Sequence, residues 1–203
     1  MEFITDILFP TGIIYNTFPR ENTDEEKKFV ETCSANVYKN TGNVTSENRY
    51  VLNDPELVNL REYIQRGIDH YVNEIIKPRE QIEFYITQSW LNYTNTGQHH
   101  HRHEHPNSII SGVYYFNAED GNDKIHFFKT QYKQIHIPTS DFNIFNSEAW
   151  WFPVHTGKLI LFPSHLTHTV EQTVSTSTRV SLAFNVFARG FLGDEKELTG
   201  LKL

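Results

Sequence analysis

The sequence predicts a mainly β protein, an antiparallel sandwich or barrel with α-helices packed as a buttress at its N-terminal end. From residue 81 onward the chain passes through the β-branched and aromatic stretches "QIEFYITQSWLNYT", "SIISGVYYFN", "DKIHFF", "KLILF" and "TRVSLAFNVFAR". Turn-forming groups such as Glu119-Asp120-Gly121-Asn122 and Thr156-Gly157 separate these stretches, with no helical periodicity between them. Strands joined by short connections bury their apolar faces by stacking sheet on sheet or by closing into a barrel. The preceding 80 residues carry apolar spacings of three and four instead.

The elements follow in order. The stretch from Phe3 to Thr17 reads as one or two short strands interrupted by Pro10 and Gly12. Thr23-Asp24-Glu25-Glu26 is a capping box: the Thr hydroxyl accepts from the backbone of the first turn and Glu26 reaches back. Phe29, Val30, Cys33 and Val37 give the helix that follows an apolar face. A second helix is predicted from Asp54-Pro55, with Leu57, Leu60, Ile64, Ile68, Tyr71 and Ile75 as a core-facing stripe that ends before Pro78. His70 lies beside that stripe as a packed or surface residue.

Composition narrows the function. The chain has 203 residues, a net charge of −7 and no basic block, so binding of nucleic acid through phosphate neutralisation is not expected. The single cysteine, Cys33, excludes an internal disulfide framework and fits a reducing, cytoplasmic setting. No apolar run is long enough to span a membrane, and no export signal is read at the N-terminus.

"HHHRHEH", residues 99–105, places five histidines in seven positions. In extended chain His99, His101, His103 and His105 share one face, while His100, Arg102 and Glu104 share the other. Two imidazoles two residues apart at a strand end can serve one metal ion, which makes His103 and His105 the candidates. His99 to His101, beside the polar "NYTNTGQ", read as rim or loop residues. The bland alternative is a solvated histidine-rich loop. Further on, "LFPSHLTHTV" places His168 between apolar neighbours at a strand start, where it can enter a barrel, and leaves His165 exposed in the turn. The strand "RVSLAFNV" sets Val180, Leu182, Phe184 and Val186 on one face and Arg179, Ser181, Ala183 and Asn185 on the other. The second set suits the wall of a polar pocket: the guanidinium can grip a carboxylate with two parallel hydrogen bonds, and Ser181 can add a hydroxyl.

These segments together resemble the iron(II)- and 2-oxoglutarate-dependent dioxygenases. "HEHPNSIISGVYYF", "LFPSHLTH" and "RVSLAFN" are similar to a small branch of them found in marine bacteria and their phages. The resemblance spans roughly residues 80–188. It implies a double-stranded β-helix, or jelly roll, within a single domain over 1–203: an N-terminal strand and helices over 1–80, the core over 81–190 and a tail over 191–203. It implies Fe(II) held by His103 and the distal His168, and 2-oxoglutarate as cosubstrate with its far carboxylate on Arg179 and Ser181. O2 would then oxidise a substrate while 2-oxoglutarate becomes succinate. Most of the superfamily carries Asp or Glu two residues after the first histidine. Here that position is His105, which is the expected third ligand, with Glu104 through a local kink, or water, as alternatives. Trp90, Asn92 and Tyr114 or Tyr115 are further candidates for cosubstrate contacts. The aromatic stretch 130–156 reads as a long insertion that could act as a lid, admit a peptide or small-molecule substrate, or mediate a homodimer; His136 and His155 in it are not expected to be ligands. Two other classes fit parts of the pattern: a cupin-like three-histidine metal enzyme without 2-oxoglutarate, and a non-catalytic jelly roll with a binding or structural role.

Overall fold

A computed structural model of the chain describes residues 2–129 and 137–203. In chain order the elements are β1 (Ile14–Tyr15), α1 (Asp24–Cys33), β2 (Val37–Lys39), β3 (Val44–Ser46), α2 (Val58–Tyr71), β4 (Glu83–Thr94), β5 (His100–His103), β6 (Ile110–Asn117), β7 (Lys124–Phe128), β8 (Ala149–Pro153), β9 (Leu159–Pro163), β10 (His168–Val170), β11 (Arg179–Arg189), β12 (Phe191–Leu192) and β13 (Leu201–Lys202). A seven-stranded antiparallel sheet has the order β1-β9-β6-β11-β4-β3-β2 and faces a four-stranded sheet of order β5-β10-β7-β8. The architecture is a jelly roll with helices on the outer face of the larger sheet. The last thirteen residues are more than a tail: β12 and β13 close a small hairpin.

The helices form for the reasons the sequence supplies. At α1 the capping box is complete, with Glu26 N–H donating to the Thr23 hydroxyl and Thr23 N–H donating to the Glu26 carboxylate. The expected stripe of α2 is buried at Leu57, Leu60, Ile64, Ile68 and Tyr71. Its start differs. Pro55–Leu57 forms a 3₁₀ turn before the α-helix, and the Asp54 carboxylate accepts from Asn48 rather than capping the helix. Gly67 lets α2 approach the sheet, since a Cβ there would lie 3.0 Å from Leu159.

Two cores result. One lies between helices and large sheet and includes Leu60, Ile64, Ile68, Leu161, Leu182 and Phe184. The other lies between the sheets and includes Val113, Tyr115, Phe127, Ile160 and Ala183. Strand alternation feeds both. Along β11, Leu182, Phe184 and Val186 pack towards the helices, while Ala183 joins the inter-sheet core. Gly112 on β6 is required by this packing, because the Phe184 ring occupies the place of its Cβ, with the nearest atom at 2.1 Å.

Two expectations are corrected. Of the N-terminal stretch only Ile14–Tyr15 pairs, with Leu161 and Ile160 of β9, and Phe3, Ile4, Leu8 and Phe9 are exposed. A β-rich composition there has no strand edge to meet. The aromatic stretch 130–156 is also not one insertion: Ala149–Pro153 is β8, hydrogen-bonded to β7, which leaves Lys129 to Glu148 as the connection. Residues 130–136, including His136, lie outside the described residues, and so does that part of the predicted lid.

Candidate functional site

Three imidazoles from two segments meet between the sheets. His103 at the end of β5 stands directly opposite His168 at the start of β10 in the antiparallel register. His105 follows two residues on, where its backbone N–H donates to Ser164 O at 3.0 Å and Pro106 ends the segment. Ring centroids lie 4.4 Å apart for His103–His168, 5.0 Å for His103–His105 and 5.1 Å for His105–His168. His105 and His168 are buried, and one ring nitrogen from each of the three lies within 4.8 Å of the others.

Each ring is oriented through its far nitrogen. His103 Nδ1 donates to His101 O at 2.8 Å, His168 Nδ1 donates to Leu166 O at 3.0 Å, and His105 Nδ1 donates to Asn185 Oδ1 at 2.5 Å. A carbonyl oxygen can only accept, so these contacts assign the ring proton to Nδ1 in all three. The Nε2 lone pairs are left free, as in metal-ligating histidines. His103 Nε2 and His105 Nε2 are 3.0 Å apart with no proton between them. Two cis ligands with metal–nitrogen bonds of about 2.1 Å meeting at a right angle stand about 3.0 Å apart. That spacing suits two adjacent positions on one ion, with His168 as the third nitrogen close by. Burial keeps the rings neutral: it pushes His103 down to about 4 and His168 to about 3, and lowers His105. A divalent cation therefore fits this donor set.

Glu104 does not join them. Its side chain is on the other side of the segment, accepting from the Thr167 hydroxyl. Alternation alone predicts this, and position 105 is left to the neutral imidazole.

His100 departs from expectation. Two steps along β10, from His168 to Val170, match three along β5, from His103 to His100. The extra residue is a bulge, which reverses the parity of every position before it. His100 is thereby brought to the side of His103, and the rings stack at 4.8 Å and 28°. It lines the inter-sheet cavity instead of standing on a rim. His101 also packs on both rings, so His100, His101 and His103 form a second nitrogen cluster. That trio has no free nitrogen from His103, whose Nδ1 is committed to a carbonyl and whose Nε2 faces His105. His99 and His165 are exposed, as expected, and His155 bonds the carbonyl of Thr156 away from the site.

Beyond the imidazoles the cavity is walled by the large sheet. Trp90, Asn92, Val113, Tyr115, Ser181 and Ala183 line it, so the residues alternating with Tyr115, not those with Tyr114, face inward. Asn92 pairs with Ser181 across β4 and β11. The Asn92 Oδ1 is buried without a hydrogen-bond partner in the cavity wall, and the amide Nδ2 of the same side chain is a neutral donor. Burial raises Tyr115 well above the ordinary phenol range, so its hydroxyl remains a donor. Such neutral donors suit a carboxylate. The cavity is small, about 40 Å³, enough for only a few waters. A five-carbon diacid must open it, and the wall best able to yield is β5, a short bulged edge strand.

Arg179 is buried at the end of this wall, at 3% exposure, as the alternation of β11 requires. Its partner was not legible in the sequence. Arg179 Nη1 donates to Asp123 Oδ1 at 3.1 Å. Asp123 also accepts from the Thr173 and Ser175 hydroxyls and from Glu119 N–H, so four donors hold it. The expected fork around a ligand carboxylate is thus partly committed inside the protein. Asp123 opens the stretch "DKIHFF" directly after the turn, and no local pattern marks it.

On the far side of His105 a cleft of about 780 Å³ opens to solvent. Tyr71, Ile76, Ile109 and Pro163 give it apolar walls, and Glu104 and His165 lie at its rim.

Comparison with known proteins agrees with this geometry. Residues 88–185, just under half of the chain, match the family described as "Putative 2OG-Fe(II) oxygenase". No curated protein matches the chain. Among solved structures, HygX from Streptomyces hygroscopicus, with nickel and 2-oxoglutarate bound, is 9% identical, with 87% of this chain and 82% of that chain covered and a TM-score of 0.59. A prolyl hydroxylase from Trichoplax adhaerens, in complex with a hypoxia inducible factor peptide fragment, is 14% identical, covering 94% and 88%, with a TM-score of 0.58. A prolyl-4-hydroxylase from Pseudomonas putida is 14% identical, covering 89% and 94%, with a TM-score of 0.54. Identities this low establish the shared fold; the family match spans the segments that carry His103, His105, His168 and Arg179. Over residues 88–185 the chain is thus similar to the 2-oxoglutarate- and iron(II)-dependent oxygenases, whose fold it shares.

Proposed function

We propose that the chain is a 2-oxoglutarate-dependent oxygenase whose iron(II) is held by the Nε2 atoms of His103, His105 and His168. The observation that carries this assignment is the common tautomer: three converging rings, each with its proton fixed on Nδ1 by a carbonyl-type acceptor. When bound, iron with 2-oxoglutarate and O2 supplies an oxidant able to break a substrate C–H bond, while 2-oxoglutarate is converted to succinate and CO2. The chain's own residues bind and orient. Asn185 fixes the His105 ring, and Arg179, Ser181, Asn92 and Tyr115 receive the far carboxylate of the cosubstrate. Apolar walls at Val113, Ile125 and Ala183 exclude water around it.

We place the prime substrate, a small molecule or a peptide, in the cleft beside His105, which is large enough for it and is lined by His105 itself. No helix among the described residues is long and apolar enough to cross a membrane. The buried Arg179 supports 2-oxoglutarate over a cupin-like site, which has no use for a carboxylate anchor there.

The test is succinate formation from labelled 2-oxoglutarate by iron-loaded protein under O2. Wild type should turn over slowly without prime substrate, and His168→Ala and Arg179→Ala should not. Metal binding without 2-oxoglutarate binding in wild type would overturn the proposal.

A further inference from the structure

The pairing of Arg179 with Asp123 raises a question about the cosubstrate. One guanidinium N–H and the full charge of Arg179 are already matched inside the protein. Recognition of a distal carboxylate then depends more heavily on neutral donors around the cavity. Asn92, Ser181 and Tyr115 are three of them. His100 is a fourth, for a reason visible in its hydrogen bonding.

His100 Nδ1 lies 3.2 Å from Asn43 Nδ2. The Asn43 amide is oriented with its nitrogen towards the ring: its Oδ1 accepts from Asn40 Nδ2 at 3.0 Å, and its Nδ2 donates to Thr94 Oγ1 at 3.3 Å. An amide nitrogen can only donate, so His100 Nδ1 accepts and the ring proton sits on Nε2. This is the opposite tautomer to that of His103, His105 and His168. Those three present lone pairs; His100 presents an N–H.

Its place in the cavity suits that donor. Asn43 ties the His100 ring to Thr94, and Thr94 is the partner of Arg179 across β4 and β11. The same ring stacks on His103. His100 therefore lines the cavity with its Nδ1 edge held by Asn43 and its ring face on His103, which leaves the Nε2 edge as its unbonded donor.

We propose that His100 is a cosubstrate-binding residue whose Nε2–H donates to a carboxylate oxygen of 2-oxoglutarate in the inter-sheet cavity. This rests on the oxygenase reading above.

The test is an anaerobic calorimetric titration of 2-oxoglutarate into nickel-loaded protein, with bound metal measured in each sample. The variants are His100→Ala, His100→Phe, which keeps the stack on His103 without an N–H, and His100→Gln, which restores one. Loss of a hydrogen bond to a charged group predicts binding about tenfold weaker or more for the Ala and Phe variants. Full metal content should be retained, and the Gln variant should recover much of the affinity. The proposal is overturned if Ala and Phe variants bind 2-oxoglutarate as wild type does, or if they lose metal, which would make His100 a ligand. It is also overturned if wild type takes up two ions and the variants one, which would assign His100, His101 and His103 to a second ion. Failure of wild type itself to bind 2-oxoglutarate would instead remove the oxygenase reading beneath it.

Discussion

The two sheets that enclose the site are built unequally. In the larger one β4 and β11 pair from Thr94–Arg179 to Glu83–Arg189, with one irregularity, and nearly all of β6 is buried. In the smaller one β10 is three residues long and β5, four residues long, carries a bulge. The larger sheet supplies Asn92, Tyr115, Ser181 and Arg179, the groups suited to a carboxylate. The smaller supplies His103, His168 and His100. A ligand thus meets one wall held by long ladders and a helix-backed core, and another held by few hydrogen bonds. The difference teaches where stability and adjustment reside: the first wall fixes the frame, and the second can open the narrow cavity for a diacid.

Substitutions on either side can break this comparison. The largest effect is expected from His168→Ala, which should lower metal affinity by more than a hundredfold while leaving the metal-free thermal midpoint nearly unchanged. Metal titration with parallel thermal scans checks both halves. Phe184→Ala should do the reverse. It empties a fully buried site between β11 and Gly112 and should cost about 3–5 kcal/mol in denaturant unfolding, whether metal is present or not. Asn185→Ala removes the acceptor that fixes the His105 proton on Nδ1 and should weaken metal binding about tenfold or more. The Ser111 hydroxyl, 3.0 Å from the same nitrogen, keeps the loss towards the smaller end.

A pH series sharpens the comparison further. In the unfolded chain imidazoles take up protons below about pH 6.5. In the folded, metal-free protein His103 resists protonation down to about 4 and His168 down to about 3. The unfolded state therefore binds more protons within that window, and stability falls as the pH falls through it. The thermal midpoint of metal-free protein should be lower at pH 5 than at pH 7, and His168→Ala should flatten the dependence. The smallest effect is expected from Glu104→Gln, within about threefold in metal affinity, since the carboxylate faces Thr167; a change comparable to that of His105→Ala would reassign the third ligand.

Much of this site is legible in the sequence, and the limits have physical causes. Alternation along "RVSLAFN" separates the core face from the cavity face, because β11 is a long strand buried on both sides. The same rule fails across "HHHRHEH", where one bulge residue reverses the parity of His100. Bulges leave no mark in composition. Asp123 is hidden for another reason: its partners Thr173, Ser175 and Arg179 lie 50, 52 and 56 positions away, and only the closed fold brings them together. At the N-terminus the error runs the other way. β propensity from Phe3 to Phe9 is real, but propensity makes no strand without a neighbouring edge.

The most direct test of the central claim is an anaerobic crystal structure with iron(II) and 2-oxoglutarate. The account predicts the Nε2 atoms of His103, His105 and His168 bound to one ion on a single face of its coordination sphere, with Glu104 still directed at Thr167. An ion coordinated by Glu104 in place of His105, or by the Nδ1 atom of any of the three rings, would contradict it.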